Sequence, residues 1–579
     1  MITIQSPFMQ TETKKPGITA GGAILARLKA VGVDYIFANS GTDFPPIIEG
    51  LAEAKAKHIP LPTAIVIPHE NAAMGMAHGY YLATGRAQAV MAHTNVGLAN
   101  CAIGAINAAT EHIPVLIFSG RTPVVEQGRL GARTVPISWG QEMRDQAAMI
   151  RECTKWDYEL KFPEQAVDVV DRAHAIATSL PRGPVYLSLP REVLCEPCPA
   201  DELERPSRIA PATLAPRAAD IDQAAALLRE AERPLIIVQR GAGDAEGFAA
   251  LSRLAQDWGI PVCQYWAIQL GIATDHPMSV GVDPGPWLAE ADLVLVIDCL
   301  APWSPDIHKL PADCKVVHIG QDPLYSRFPI RNFQADLSLP GETGGVIVAL
   351  EAAARPACEG TGEKREARRK KVAAAAARRR EEVLRNARTP RGELMTKDFV
   401  SQCLSEVLGD TPATILSELG APLEPLTLRE PGSWYQEPHS GGLGWSFPTG
   451  LGYKLAQPER LVIATMGDGS YMFANPVACH QIAEAMAIPL LVLVLNNEEW
   501  GAVRQSVTGV YPEGYAASSN EMPLVSLAPT PDFTRVAEAS RAWTARVASH
   551  DELANALRAA IEQVTVHRRQ ALVEIRIAR

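Results

Sequence analysis

The chain has 579 residues, with 54 Lys and Arg against 65 Asp and Glu for a formal net charge of −11. At roughly 100 to 200 residues per domain this length predicts about three or more domains, each with its own core. An apolar share of 47% beside 21% charged residues excludes disorder as the main state, collagen and coiled coil, and the acidic balance removes the long-range attraction that nucleic-acid or anionic-membrane binding needs, so small molecules are the expected partners.

The N-terminal stretch MITIQSPFMQTETKKPG has no apolar core of a signal peptide, and no apolar run reaches the roughly 18 residues of a membrane span. The expected location is the cytoplasm. Ten cysteines are too dilute for a disulfide scaffold, and Cys101, Cys299 and Cys479 fall inside apolar patterns as small core residues. Cys195 and Cys198 stand at CxxC spacing with no second pair and no His at metal spacing, so no metal or redox role is expected there.

In chain order, residues 17–195 carry short apolar strands at 35–38, 89–92 and 115–119, each followed by a turn or an Ala-rich helical pattern. Strands alternating with helices predict a parallel sheet covered on both faces. A Pro-rich linker spans 196–216. The second block, 217–355, contains PLIIVQRGAG, GIPVCQY, DLVLVID and KVVHIG, again continuous strands for a buried parallel sheet. Residues 356–395 form a charged helical linker; its basic runs KREARRKK and ARRR are interspersed with Glu and lack aromatics for base stacking, which predicts a solvated connecting helix. The third block, 396–579, has strand candidates in ATILSE, RLVIATMGDGS, PLLVLVLNN and ALVEIRI. The fold class is therefore α/β, with three doubly wound domains on parallel sheets, the first and third alike in size and pattern.

Chemistry is written most sharply at Gly467-Asp468-Gly469-Ser470, directly after a strand, with Asn496-Asn497 at the end of the next apolar strand. A Gly-Asp-Gly turn at the carboxyl end of a parallel strand lets a diphosphate approach backbone N–H groups while the carboxylate holds a divalent cation. Mg²⁺ prefers six hard oxygens, and Asp468, Asn497, one main-chain carbonyl, two phosphate oxygens and a water would make that set.

With its flank NNEEWGAVRQ, this pairing resembles the diphosphate-binding motif of the thiamine diphosphate enzymes, and the resemblance extends through all three blocks. It implies that the main-chain carbonyl ligand is that of Glu499, with cofactor contacts from Gly467, Gly469, Ser470, Trp500, Gly501 and Ala502. His439-Ser-Gly-Gly-Leu-Gly-Trp445 resembles the glycine-rich segment beside the aminopyrimidine, which implies contacts from Gly442, Leu443 and Gly444; Trp445, Ser446 and Phe447 are the candidates for the apolar wedge under the thiazolium. The segment from Val66 to Tyr80 resembles the one that carries the family's acid, here Glu70, which shares a proton with the pyrimidine N1′ so that the 4′-imine makes the C2 ylide. The stretch His93-Thr-Asn95-Val-Gly97-Leu-Ala-Asn100 follows, and the benzoylformate decarboxylase branch has an active-site His at the distance of His93 from Glu70. Asn95, Gly97 and Asn100 are the implied cofactor neighbours. Thr42 is the nearest match to that branch's active-site Ser, and Gln141 resembles the active-site Gln of acetolactate synthases and benzaldehyde lyases. The branch's second His has no counterpart; Trp303 and His308 merely lie in the right loop.

The resemblance implies a thiamine diphosphate- and Mg²⁺-dependent enzyme that decarboxylates a 2-oxo acid through the ylide and an enamine, protonation giving an aldehyde. The alternative is an acetolactate-synthase-like carboligase or C–C lyase, and a remote one is a non-catalytic assembly or sensing module. FAD is not expected, because RGAGDA is a thin version of its loop and CLAPWSP replaces the Arg-containing strand end. Neither nucleic acid nor membrane is an expected partner. The first block of one chain is expected to pair with the third of another, in a homodimer or a dimer of dimers.

Overall fold

Three parallel sheets hold the apolar runs. In the computed structural model, which describes residues 18–199, 205–355, 362–390 and 392–578, the first sheet contains β1 (Tyr35–Ala38), β2 (Thr63–Val66), β3 (Gln88–Ala92), β4 (Val115–Arg121), β5 (Asp157–Glu159) and β6 (Val185–Pro190), in the order β2-β1-β3-β4-β6-β5. The second contains β7 (Pro234–Val238), β8 (Val262–Cys263), β9 (Leu293–Ile297), β10 (Lys315–Gly320) and β11 (Leu337–Pro340), in the order β11-β10-β9-β7-β8. The third contains β12 (Ala413–Glu418), β13 (Trp434–Gln436), β14 (Leu461–Gly467), β15 (Leu491–Asn496), β16 (Trp543–Val547) and β17 (Ala571–Arg576), in the order β13-β12-β14-β15-β17-β16. Counted within its own sheet, each strand of the third domain holds the place of its counterpart in the first. The N-terminal stretch 1–17 behind the targeting reading, and residues 356–361 of the expected linker, lie outside the described residues.

Inner strands such as β3, β7, β9 and β15 are buried at every residue, as helices on both faces require. The helix Glu70–Thr84 starts where the His69 ring accepts from Asn71 N (3.2 Å) and packs on the helix Ser446–Ala456 of the third domain through small residues. A side-chain carbon at Gly79 would stand 1.9 Å from the Thr449 carbonyl oxygen, and one at Gly452 would stand 2.0 Å from that of Met76.

The helix Gly362–Arg388 is largely exposed, as its charge predicts, but one face straps it to the second and third domains. Arg368 donates to the carbonyls of Trp258 (2.6 Å), Ala231 (3.2 Å) and Glu232 (3.0 Å), Arg380 to that of Leu426 (3.0 Å), and Val372 and Ala376 are buried. Trp258 ends the helix Ala245–Trp258, so a guanidinium satisfies a carbonyl that no helical N–H reaches.

At the carboxyl ends of β7 and β9, where open α/β sheets take nucleotides, protein side chains fill the crevice. Arg240 donates to Glu111 Oε2 of the first domain (2.6 Å), to the Tyr325 hydroxyl and the Thr110 carbonyl, and lies 3.5 Å from Asp298 Oδ1. Glu111 Oε1 accepts from His439 N of the third domain (3.1 Å), so one buried network joins all three domains. Among the described residues no helix is long and apolar enough to cross a membrane, and no disulfide is present.

Candidate active site

Parallel strands end on one rim of their sheet, and the loops there carry the polar residues. In the first domain Asn39 follows β1 and His93 follows β3. Glu70, the first residue of its helix, is buried, and its carboxylate accepts from Asn39 Nδ2 (3.0 Å) and Asn100 Nδ2 (2.9 Å). A side chain on Gly97 would reach within 2.7 Å of Glu70 Oε1, so that glycine keeps the carboxylate clear. The His93 ring bonds Asp43 Oδ1 through Nδ1, and its Nε2 lies 3.1 Å from Gln141 Nε2. The Asp43 hydrogen bond raises the His93 pKa; burial opposes this, and the charges of Asp43 and Glu70 add to it. Thr42 is exposed and offers its main-chain carbonyl to Arg191 (3.1 Å). Asn95 accepts from Thr94 Oγ1 (3.4 Å).

The third domain opens a cavity of about 670 Å³ lined by Gly441, Leu443, Gly467, Asp468, Gly469, Ser470, Asn497, Glu499 and the stretch from Trp500 to Ala502, with Lys397 and Glu437. Asp468 Oδ1 accepts from Gly469 N (3.0 Å), while its buried Oδ2 has no hydrogen-bond partner. Burial pushes this carboxyl up to about 6 against the main-chain N–H groups that lower it. The Asn497 side-chain oxygen lies 2.9 Å from the Glu499 carbonyl oxygen and 3.2 Å from Asp468 Oδ1. Three acceptors facing one point repel unless the amide turns its NH₂ inward or a cation sits between them. The three oxygens and the orphan Oδ2 thus fit a hard divalent cation. Among the described residues no three His, Cys, Asp or Glu side chains cluster for a metal, so amide and carbonyl oxygens would supplement the single carboxylate.

Glu418, buried at the end of β12, accepts from the N–H groups of Gly444 (2.6 Å), Trp445 (2.8 Å) and Ser446 (2.7 Å) and fixes the glycine-rich segment. Its pKa is raised by burial against those bonds. Burial and the neighbouring Glu418 charge push Glu437 up to about 8.

The site residues read from sequence therefore gather in two groups. The first holds Glu70, Gly97, Asn100, His93 and Gln141; the second holds the Asp468–Asn497–Glu499 oxygens, the residues from Gly467 to Ser470 and from Trp500 to Ala502, and Leu443. None of the described residues of the first domain lines the third-domain cavity. Gly442 and Gly444 do not line it: the Gly442 carbonyl accepts from Asn107 Nδ2 (2.9 Å), and Gly444, at φ +82°, would collide through a side chain with the Phe473 carbonyl oxygen at 2.4 Å. Trp445, Ser446 and Phe447 turn into the core, Phe447 stacking on Tyr471 with ring centroids 6.3 Å apart, and of the glycine-rich segment Leu443 is the bulky side chain that lines the cavity. Asn39, Asp43, Glu418, Glu437 and Lys397 escaped the sequence reading. Asn39, Glu418 and Glu437 sit at the carboxyl end of a parallel strand, the one signal that would have found them.

Two carboxylate-bearing half-sites thus stand on twin α/β domains, one built around a paired imidazole and one around a cluster of oxygens. Residues 18–149 match the N-terminal TPP binding domain of the thiamine pyrophosphate enzymes, residues 221–350 their central domain, and residues 421–575 their C-terminal TPP binding domain. The chain belongs to the thiamine diphosphate-dependent enzyme family, whose relatives of this chain are decarboxylases and acetolactate synthases. It is 29% identical over 579 residues to a probable 2-ketoarginine decarboxylase of Pseudomonas aeruginosa, covering 97% of this chain and 94% of that one. It is 25% identical over 557 residues to a probable acetolactate synthase large subunit of Methanocaldococcus jannaschii (93% and 89%) and 25% identical over 497 residues to the benzoylformate decarboxylase of Pseudomonas aeruginosa (82% and 85%). The solved thiamine diphosphate-dependent 4-hydroxybenzoylformate decarboxylase of Rhodococcus jostii shares the fold, with a TM-score of 0.76 at 22% identity over 97% of this chain and 99% of that one.

Proposed function

We propose that the protein is a thiamine diphosphate- and Mg²⁺-dependent decarboxylase of a 2-oxo acid, working in a reducing compartment such as the cytoplasm. The observation that carries this reading is the imidazole of His93, paired with Asp43 and within electrostatic reach of Glu70. It would supply the proton donor that a decarboxylase needs at the carbon CO₂ leaves. Two relatives named as decarboxylases support it.

When bound, thiamine diphosphate supplies a carbon nucleophile and an electron sink. The residues of the chain do the rest. Asp468, the Asn497 amide oxygen and the Glu499 carbonyl would hold Mg²⁺ against the diphosphate, and Leu443 would support the ring system. Glu70, steadied by Asn39 and Asn100, would share a proton with a pyrimidine nitrogen, and Nε2 of His93 would move the proton that completes the product.

A complete site would join the first domain of one subunit to the third of another, in a homodimer or a dimer of dimers; that no described first-domain residue lines the third-domain cavity supports this. Exposed Val96, Ile103 and Ile106 on the helix Thr94–Thr110, and exposed Phe473 and Val477 in the third domain, supply apolar surface for that contact.

A second reading, a carboligase or C–C lyase, rests on Gln141 beside His93 and on the acetolactate synthase relative. Protein loaded with thiamine diphosphate and Mg²⁺ and given a panel of 2-oxo acids separates the two. CO₂ release with an aldehyde product is expected. Acyloin formation or cleavage without aldehyde favours the second reading, and inertness toward both classes leaves the non-catalytic module.

A further inference from the structure

Three observations around His93 have no part in cofactor binding. Gly41, in the loop after β1, leaves room for the ring: a side-chain carbon there would stand 2.2 Å from His93 Cγ and Nδ1. The next residue, Thr94, holds φ at +41°, a left-handed conformation that a β-branched residue adopts only under constraint. The constraint is visible in Asp43, whose Oδ1 bonds the ring Nδ1 and whose Oδ2 accepts from Thr94 N (3.4 Å). Asp43 is itself buried and packed so tightly on β4 that a side chain at Gly120 would overlap its Oδ2 at 1.5 Å.

We propose that Asp43 is a positioning residue that clamps His93 through Nδ1–H and the adjoining main-chain N–H, so that Nε2 is the nitrogen presented to the reacting centre and carries its proton as an imidazolium. This rests on the functional reading above and gives Asp43, there only the partner of His93, a role of its own. With Nδ1–H given to Asp43, the neutral ring has its lone pair on Nε2 and accepts from the Gln141 NH₂. In the imidazolium, Nε2–H donates instead, to the Gln141 carbonyl after the amide turns or to substrate. The proton passes from Nε2 to the carbon that CO₂ has left, the N–H electron pair stays on nitrogen, and water returns a proton to the ring. The charges acting on the ring are those of Asp43 and Glu70; Gln141, on the loop after β4, is neutral. Asp43 favours the charged ring, so the acid form persists to higher pH than in an ordinary histidine.

The test compares wild type with Asp43→Asn, which keeps the shape and removes the charge, and with Gly41→Ala, which pushes the ring away and leaves Asp43 in place. Circular dichroism establishes that each is folded. The alkaline limb of the kcat profile, where the acid is lost, is expected to move about one pH unit or more lower in both variants, with thiamine diphosphate affinity unchanged. In the cofactor-free protein labelled at histidine, the NMR titration of the signal missing from His93→Gln is expected to move the same way. A kcat that falls equally at every pH, or a His93 titration unmoved in Asp43→Asn, overturns the proposal. Should no 2-oxo acid be turned over, the functional reading fails, and the substrate-free titration still decides whether Asp43 governs His93.

Discussion

Arg240→Met removes the guanidinium on which the three-domain network depends, and its effect can be worked out from the groups left behind. Arg240 and Glu111 have side chains only 4% and 3% exposed, so the variant strands Glu111, and beside it Asp298, without a counter-charge. Removing one partner of a buried ion pair costs about 3–5 kcal/mol. The pH dependence identifies the cause. In the wild type, burial pushes the Glu111 carboxyl up, but Arg240 and His439 more than offset it, and the group titrates below its ordinary 4.5. A depressed carboxylate contributes stability that is present above about 4.5 and lost as pH falls through the folded value. Without Arg240 the upward push of burial, the largest influence on Glu111, is opposed only by His439, so in Arg240→Met stability is expected to decline as pH rises from about 5 to 7, an interval over which this contribution is level in the wild type. The first urea transition at those two pH values reads both effects. Adding Glu111→Leu should recover part of the loss, because the stranded charge is then gone. A loss below about 1 kcal/mol, or a variant with the wild-type pH dependence, would refute the assignment of Arg240 as the tie between domains.

Glu70→Gln should fold normally and lose at least about a hundredfold in turnover, the usual scale for a positioned acid or base; near-normal activity would remove Glu70 from the mechanism. Asp468→Ala should lose Mg²⁺-dependent binding of thiamine diphosphate in calorimetric titration, because the cation loses its only carboxylate ligand, and undiminished affinity would contradict the cation site. Co-expressing these two inactive chains should restore part of the activity, since one of the two sites in a mixed dimer is wholly wild type. An inactive mixture whose tagged chains co-purify would rule out a shared site.

The first and third domains show how one topology hosts different chemistry. His93 is the first residue after β3, and Asp468 the first after β14, its counterpart strand. The same strand end thus presents an imidazole in one domain and a buried carboxylate in the other. The sheet determines where a side chain stands, and the residue determines what it does.

What the sequence determined by itself was whatever a short stretch of chain can encode. Strands buried on both faces must be continuously apolar, so β1, β3, β4, β7, β9, β10, β12, β14 and β15 were all legible, and with them the three-domain parallel architecture. The Gly-Asp-Gly turn and the Asn pair lie at fixed offsets from such strands, so the residues of the Asp468–Asn497–Glu499 oxygen cluster could be named one by one. Tertiary structure alone decided the rest. Edge strands such as β5, β13 and β16 have one neighbour and mixed exposure, hence no apolar run to announce them. The basic run read as solvated and is mostly exposed; the contacts of Arg368 and Arg380 were not legible because the carbonyls they satisfy belong to other segments. Asp43 lies 50 residues from His93, and Glu418 lies 26 residues from the Gly444 N–H it accepts. A carboxylate's partner depends on which strand ends the sheet brings side by side, and strand order is a property of the assembled core that no local pattern carries.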